Sequence, residues 1–343
     1  MEFKPTDVLI ELTRRCNLHC LHCGSDCQNQ LDPTELSTRD WENVLLQLYD
    51  LGIKKVVFSG GEPTLRTDLG HLLIFAKRLD LKVGFISNGL VDFRNSLGED
   101  LVISQPFSVG LSLDGLKDTH NKIRGNSKSW ERLLANIDFL QEKKIPICAV
   151  TTLHKLNWRE LPKLAQWLAL AEIDSWQIQL AMPAGRMGKL TDLLLSEEEF
   201  QEVCRNIFDL RKKYPQLYIQ AADCFGWAGD DLIRTGTWPG CQAGISSCAI
   251  DASGYLLPCL SLQGVTTPDN CQEKPVAEIW KKSSVFDFNR KFDALKVTGN
   301  CVGCELLSSC RGGCNSQSHS YYGCYHNSPF CFYRSFNKET KNE

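Results

Sequence analysis

The sequence predicts a parallel α/β fold followed by a cysteine-rich region. Two observations predict it. Over the first two thirds of the 343 residues, short apolar runs alternate with segments of helical periodicity. The 17 cysteines crowd into two groups, one near the N-terminus and one in the last third. Between the groups lie only Cys148, Cys204 and Cys224.

Asp7–Leu12 reads as the first strand. Trp41–Leu51 has the apolar spacing of a helix and stops at Gly52. Lys55–Ser59 is the second strand, Asp68–Leu79 a helix and Lys82–Ser87 the third strand. A weaker helix precedes the strand Phe107–Leu113. Ser129–Lys143 is amphipathic, Ile145–Leu153 a strand, Trp158–Ala171 a helix and Trp176–Ala181 the sixth strand. Ser196–Lys213 adds a helix and Leu217–Ala221 a short strand. Parallel α/β folds place their chemistry at the carboxyl ends of strands. Here those ends carry polar and glycine residues. Beyond residue 235 periodicity fades, and only Val276–Ser283 and Ser284–Leu295 read as helical. A segment so poor in core-forming pattern needs a metal staple. The charged end, 336–343, reads as a frayed tail.

Composition excludes several classes. Hydrophobic residues at 43% and charged residues at 23% describe a globular chain, not a disordered one. A net charge of −3 offers no basic excess to neutralise phosphates, so no nucleic-acid partner is expected. No apolar run approaches the roughly 20 residues of a membrane span. The first residues lack an apolar signal region, and the expected location is the cytoplasm. In a reducing compartment, clustered thiols read as metal ligands.

Cys16, Cys20 and Cys23 follow the first strand with spacing C-x3-C-x2-C. Three thiolates on one loop hold three irons of a [4Fe–4S] cluster and leave the fourth open to another molecule. The alternative is zinc, with Cys27, His19 or His22 as fourth ligand.

This loop resembles the signature of the radical S-adenosylmethionine (radical SAM) enzymes. The resemblance implies a partial (β/α)6, TIM-like barrel whose open iron chelates SAM. Reductive cleavage of SAM would then yield a 5′-deoxyadenosyl radical that abstracts a substrate hydrogen. His22 stands where that family usually has an aromatic residue. Further matches fall on successive strand ends. Gly60-Gly61-Glu62-Pro63 resembles the motif that meets the SAM amino group, with glycines where backbone approaches a ligand closely. Ser87-Asn88-Gly89 resembles the segment after the third strand, with Asn88 facing the ligand. Ser112, Asp114 and Arg124 resemble the fourth-strand segment of the peptide-modifying branch. There the Ser and the Arg are expected near the SAM carboxylate and ribose. Asn157 and Arg186 fall where the adenosine is expected. Singly, Asp114-Gly115 reads as a turn and Arg186 as a surface charge.

The last third contains Cys241, Cys248, Cys259, then Cys301-x2-Cys304-x5-Cys310-x3-Cys314, then Cys331. Eight thiolates suffice for two fully ligated [4Fe–4S] clusters. Zinc ribbons would use two C-x2-C pairs, and this region has one. The pattern resembles the SPASM domain, the auxiliary-cluster extension of radical SAM enzymes. By that resemblance Cys241, Cys248, Cys259 and Cys314 hold one auxiliary cluster. Cys301, Cys304, Cys310 and Cys331 hold the other. Cys248 lies outside the seven-cysteine pattern of the domain. Without it, the first auxiliary cluster has an open iron. The resulting organisation is a core barrel over 1–225, a bridge over 226–240 and an auxiliary-cluster domain over 241–335.

The resemblance implies SAM and three [4Fe–4S] clusters as cofactors. It also implies an electron donor such as flavodoxin or ferredoxin. The expected substrate is a ribosomally made peptide or protein, with a separate leader-recognition protein. The expected outcome is oxidation or cross-linking. A tetrapyrrole or amino sugar is the small-molecule alternative, and a non-catalytic electron carrier the alternative of another class.

Overall fold

The computed structural model describes residues 3–28, 34–226, 240–262 and 264–339. Nine strands form one open sheet in the order β7-β6-β5-β4-β3-β2-β1-β8-β9. They are β1 (Asp7–Thr13), β2 (Lys55–Gly60), β3 (Lys82–Ser87), β4 (Val109–Ser112), β5 (Ile147–Leu153), β6 (Ser175–Leu180), β7 (Tyr218–Ala221), β8 (Ser247–Ile250) and β9 (Leu256–Leu257). Only the β8–β9 pair is antiparallel. The expected α/β barrel is therefore present as an unclosed sheet.

Strand alternation explains the layering. Val8, Ile10, Val56, Phe58, Trp176 and Ile178 point to one side and are buried in the main core. That side is covered by helices including α1 (Thr38–Asp50), α2 (Leu69–Arg78), α6 (Ser129–Glu142), α7 (Leu161–Leu170) and α8 (Glu197–Lys213). Between them lie α3 (Phe93–Ser96), α4 (Gly98–Ser104) and α5 (Lys117–Arg124). Helices α1 and α8 each begin with a capping box, Ser37 with Asp40 and Ser196 with Glu199. The other, concave side carries smaller or polar groups. Ser112, Cys148 and Ser175 are small there, Phe107 and Ile86 pack close over Gly84 and Gly110, and Gln177, Gln179 and Gln220 carry amides.

Three differences from the sequence reading concern the last third. First, the region read as lacking strands adds β8 and β9 to the barrel sheet, with β8 parallel to β1. A tight turn makes this possible: Asp251 Oδ1 accepts from the backbone N–H of Ser253 and Tyr255, and Gly254 adopts φ +91°. Second, Ser284–Leu295 is not one helix but short turns at Ser284–Phe286, Asp287–Arg290 and Ala294–Lys296. The chain bends there because Asn289 donates to the carbonyls of Cys241 and Ala243, while Arg290 packs over Trp280 and Phe286. Third, a helix over Phe332–Glu339 extends into the expected tail, anchored by buried Phe332. Residues 340–343, and 227–239 of the expected bridge, lie outside the described residues.

Candidate active site

The loop after β1 carries Cys16, Cys20 and Cys23 across the carboxyl ends of the strands. Backbone bonds pin it at several points. Cys16 N–H donates to Gln28 O at 2.9 Å, and Leu21 N–H donates to Ile123 O at 3.0 Å. Arg186 is its main side-chain clamp. Its Nε donates to Cys20 O at 2.8 Å and its Nη1 to Cys27 O at 3.1 Å, with Asp26 Oδ1 at 2.8 Å. Arg186 thus faces the cysteine loop, whereas the sequence reading aimed it at adenosine. Gly185, at φ +53°, must be glycine, because a Cβ would sit 2.4 Å from Gly24 O.

Two cysteine sulfurs receive donors from neighbouring strand ends. Asn88 Nδ2 is 3.9 Å from Cys16 Sγ and also donates to Asn17 Oδ1 at 2.8 Å. Arg124 Nη1 is 3.7 Å from Cys20 Sγ. Such donors suit thiolates that bind a metal cluster. Among the described residues, no three or more His, Cys, Asp or Glu side chains are grouped tightly enough for a single metal ion. In a cubane each thiolate binds a different iron, so its ligands stand further apart. A cleft lined by Cys16, Asn17, His19, Gln28 and Gly125 opens beside the triad.

Glu62 is fully buried at the end of β2. Oε1 accepts from Thr64 N, Thr64 Oγ1 and Ser87 Oγ, and Oε2 accepts from Asn88 N at 2.7 Å. Its carboxylate therefore ties the ends of β2 and β3 together rather than standing free in the cleft. Burial raises its pKa, against those hydrogen bonds. Pro63 opens the following single turn, and Gly60-Gly61 lie against the backbone of residues 13–15.

Asp114 is likewise inside the protein, in an ion pair. Arg124 Nη2 is 2.5 Å and His22 Nε2 3.4 Å from Asp114 Oδ2, and Thr152 N–H donates to Oδ1. Burial opposes ionisation, but Arg124, His22 and His120 overcome it and bring Asp114 down to about 2. His22 joins this group because its ring turns inward and lies 5.6 Å from that of His154. His22 Nδ1, His154 Nε2 and Arg124 Nε are buried without hydrogen-bond partners. Asn157 donates to Asp114 O and Thr152 O and accepts from His154 N, so it fixes the β4 and β5 loops. Ser112 ends β4 half-buried on the concave side.

The C-terminal thiols separate into two groups and one outlier. Cys301, Cys304, Cys310 and Cys331 line a single cavity with Gly226, Gly312 and Gly313. Cys314 and Cys259 each face Cys241 electrostatically. Cys248 lies in β8, level with Val8 of β1, and the charged group facing it is Arg290.

The comparisons with known proteins match this geometry. Residues 10–168 match the radical SAM superfamily model. Over those residues the chain carries a radical SAM domain. The cysteine triad follows β1 and lies inside the matched span. The chain is 29% identical to the AdoMet-dependent heme synthase of Oleidesulfovibrio alaskensis, over 94% of this chain and 86% of the relative. It is 26% identical to the PqqA peptide cyclase of Bradyrhizobium diazoefficiens, over 93% and 83%. The solved structure of native anSMEcpe with bound AdoMet superposes with TM-score 0.75 at 19% identity, covering 98% of this chain and 96% of that one. This likeness of fold includes the cysteine-rich third. No helix among the described residues is long and apolar enough to cross a membrane.

Proposed function

We propose that this radical SAM enzyme oxidises or cross-links a side chain of a peptide or protein. SAM bound at the Cys16–Cys20–Cys23 cluster would supply the hydrogen-abstracting radical. Arg186 and Asn88 would hold the cysteine loop, and Glu62 would set the Gly60-Gly61 backbone against the SAM amino acid moiety. Arg124 and Ser112 remain the groups proposed near its carboxylate and ribose. Two auxiliary clusters of the SPASM type would carry electrons away from the oxidised substrate, and a flavodoxin or ferredoxin would reduce the SAM cluster.

The observation that carries the peptide reading is the concave face of β5–β7. Gln177 and Gln220 carry neutral amides there, and Gln179 Nε2 donates to Thr152 Oγ1 at 2.9 Å beside them. Amides pair well with a peptide backbone, which offers both donors and acceptors. A tetrapyrrole carries several carboxylates and calls for cations instead. The relative named PqqA peptide cyclase supports the same reading. The second reading, a tetrapyrrole substrate, is favoured by the relative named AdoMet-dependent heme synthase.

The test is anaerobic turnover with SAM and a strong reductant. Formation of 5′-deoxyadenosine together with loss of hydrogen mass from a supplied peptide supports the proposal. Turnover of an iron–tetrapyrrole carboxylate, with none of any peptide, would transfer the assignment to the second reading.

A further inference from the structure

This inference rests on the cluster proposed above at Cys16, Cys20 and Cys23. Two of those thiols stand in different surroundings. Asn88 Nδ2, a neutral donor, is 3.9 Å from Cys16 Sγ. Arg124 Nη1, a charged donor, is 3.7 Å from Cys20 Sγ. A guanidinium keeps its charge throughout the working pH range, so this difference is permanent.

The guanidinium is fixed from several sides. Arg124 is the last residue of α5, and Gly125 turns the chain away behind it at φ +67°. Leu21 N–H donates to Ile123 O at 3.0 Å, which ties the end of α5 to the cysteine loop. Arg124 Nη2 meets Asp114 Oδ2 at 2.5 Å, and both side chains are buried. Asp114 is held in its turn. Its Oδ1 accepts from Thr152 N–H at 3.0 Å, and its backbone carbonyl accepts from Asn157 Nδ2 at 2.9 Å. Its own N–H donates to His120 Nδ1 at 3.3 Å, and His22 Nε2 stands 3.4 Å from its Oδ2. The loops after β4 and β5 therefore place the carboxylate, the carboxylate places the guanidinium, and the guanidinium faces Cys20.

We propose that Arg124 is a positioning residue that raises the reduction potential of the triad's cluster through Cys20, with Asp114 acting against it. This role is separate from the contact with SAM proposed for Arg124 above and needs no SAM. Hydrogen bonds to the sulfurs and nearby charge are what set a cluster's potential. A charge-assisted donor at a ligand thiolate favours the reduced, more negative form. Burial keeps water from screening that charge. Asp114 binds the other Nη and partly offsets it. Breaking the pair from its two sides therefore predicts opposite shifts. Without the guanidinium the potential falls. With Asn at 114, which keeps an acceptor for Nη2 but no charge, the potential rises. Structural damage alone has no reason to move the two variants in opposite directions.

The experiment uses the full chain, loaded anaerobically with iron and sulfide and kept free of SAM. Reduced samples are followed by EPR through a potentiometric titration. A control with Cys16, Cys20 and Cys23 changed to Ala identifies the signal that belongs to the triad. Arg124→Met is expected to lower the potential of that signal, with a change of about tenfold in its one-electron reduction equilibrium, about 59 mV. The other signals are expected to stay in place. Asp114→Asn is expected to raise the same potential. Arg124→Lys, which keeps the charge, is expected to stay closer to the parent than Arg124→Met. An unchanged potential in Arg124→Met overturns the proposal, even where its SAM affinity is weakened, since Arg124 would then act on SAM alone. Shifts of one sign in Arg124→Met and Asp114→Asn overturn it as well, and so does Arg124→Lys falling as far as Arg124→Met. Where Arg124→Met takes up no iron at the triad, Asp114→Asn decides: a potential at or below that of the parent overturns the proposal. A parent protein with no triad signal overturns instead the cluster reading on which the proposal rests.

Discussion

Arg124 and Asp114 form an ion pair inside the protein, with Nη2 2.5 Å from Oδ2 and the two side chains 9% and 0% exposed. The same guanidinium reaches Cys20 Sγ with its other nitrogen. The pair therefore couples the α5 end to the cysteine loop. Removing one partner leaves an uncompensated buried charge, which costs about 3–5 kcal/mol. Asp114→Asn and Arg124→Met are each expected to destabilise by that amount in denaturant titration. A change below about 1 kcal/mol, typical of exposed pairs, would contradict the buried arrangement.

His120 gives a pH dependence with a definite sign. Burial, then Arg124, hold it down to about 4, with Asp114 acting against them. The ring is fixed between Asp114 N–H and Ser129 Oγ. Unfolded histidine titrates near 6.5, so the unfolded chain binds the proton first. This contribution to stability is therefore complete above about pH 6.5 and is lost as pH falls toward about 4. The total is at most about 3 kcal/mol. His120→Gln is expected to flatten the stability curve across that window, measured by urea unfolding at a series of pH values.

Gly61 abuts the cysteine loop, and a Cβ there would lie 2.2 Å from Arg15 O. Backbone must move to admit it. Gly61→Ala is expected to reduce iron loading of the N-terminal cluster and SAM affinity at least tenfold. Equilibrium binding of labelled SAM to the reconstituted protein is the check; wild-type affinity would show that the close approach is unimportant.

The two cysteine regions separate by mutation. Cys20→Ala is expected to abolish SAM cleavage and to remove about four irons, with the C-terminal iron retained. Retained 5′-deoxyadenosine formation would remove Cys20 from the site.

Cys304→Ala is expected to lose product while cleavage of SAM continues unproductively. Unchanged iron content in that variant would contradict a cluster in the Cys301–Cys304–Cys310–Cys331 cavity.

Much of this was legible along the chain. Periodicity located the strands β1–β7 and the helices between them, because alternation and helical spacing are local properties. The spacing C-x3-C-x2-C marked the candidate cluster loop, because three thiols so close in sequence lie on one loop after β1. The β8–β9 hairpin escaped notice, since β9 has only two residues and its turn depends on Asp251 and Gly254 rather than on an apolar pattern.

By itself the sequence determined the radical SAM resemblance, the alternating fold and the candidate cysteine loop, since each is carried by neighbouring residues. Only the tertiary structure decided which distant groups meet. It turned Arg186 onto the cysteine loop and buried Asp114 against Arg124 and His22. Spacing along a chain constrains local geometry, whereas strand order and the face on which a side chain emerges arise from packing the whole sheet.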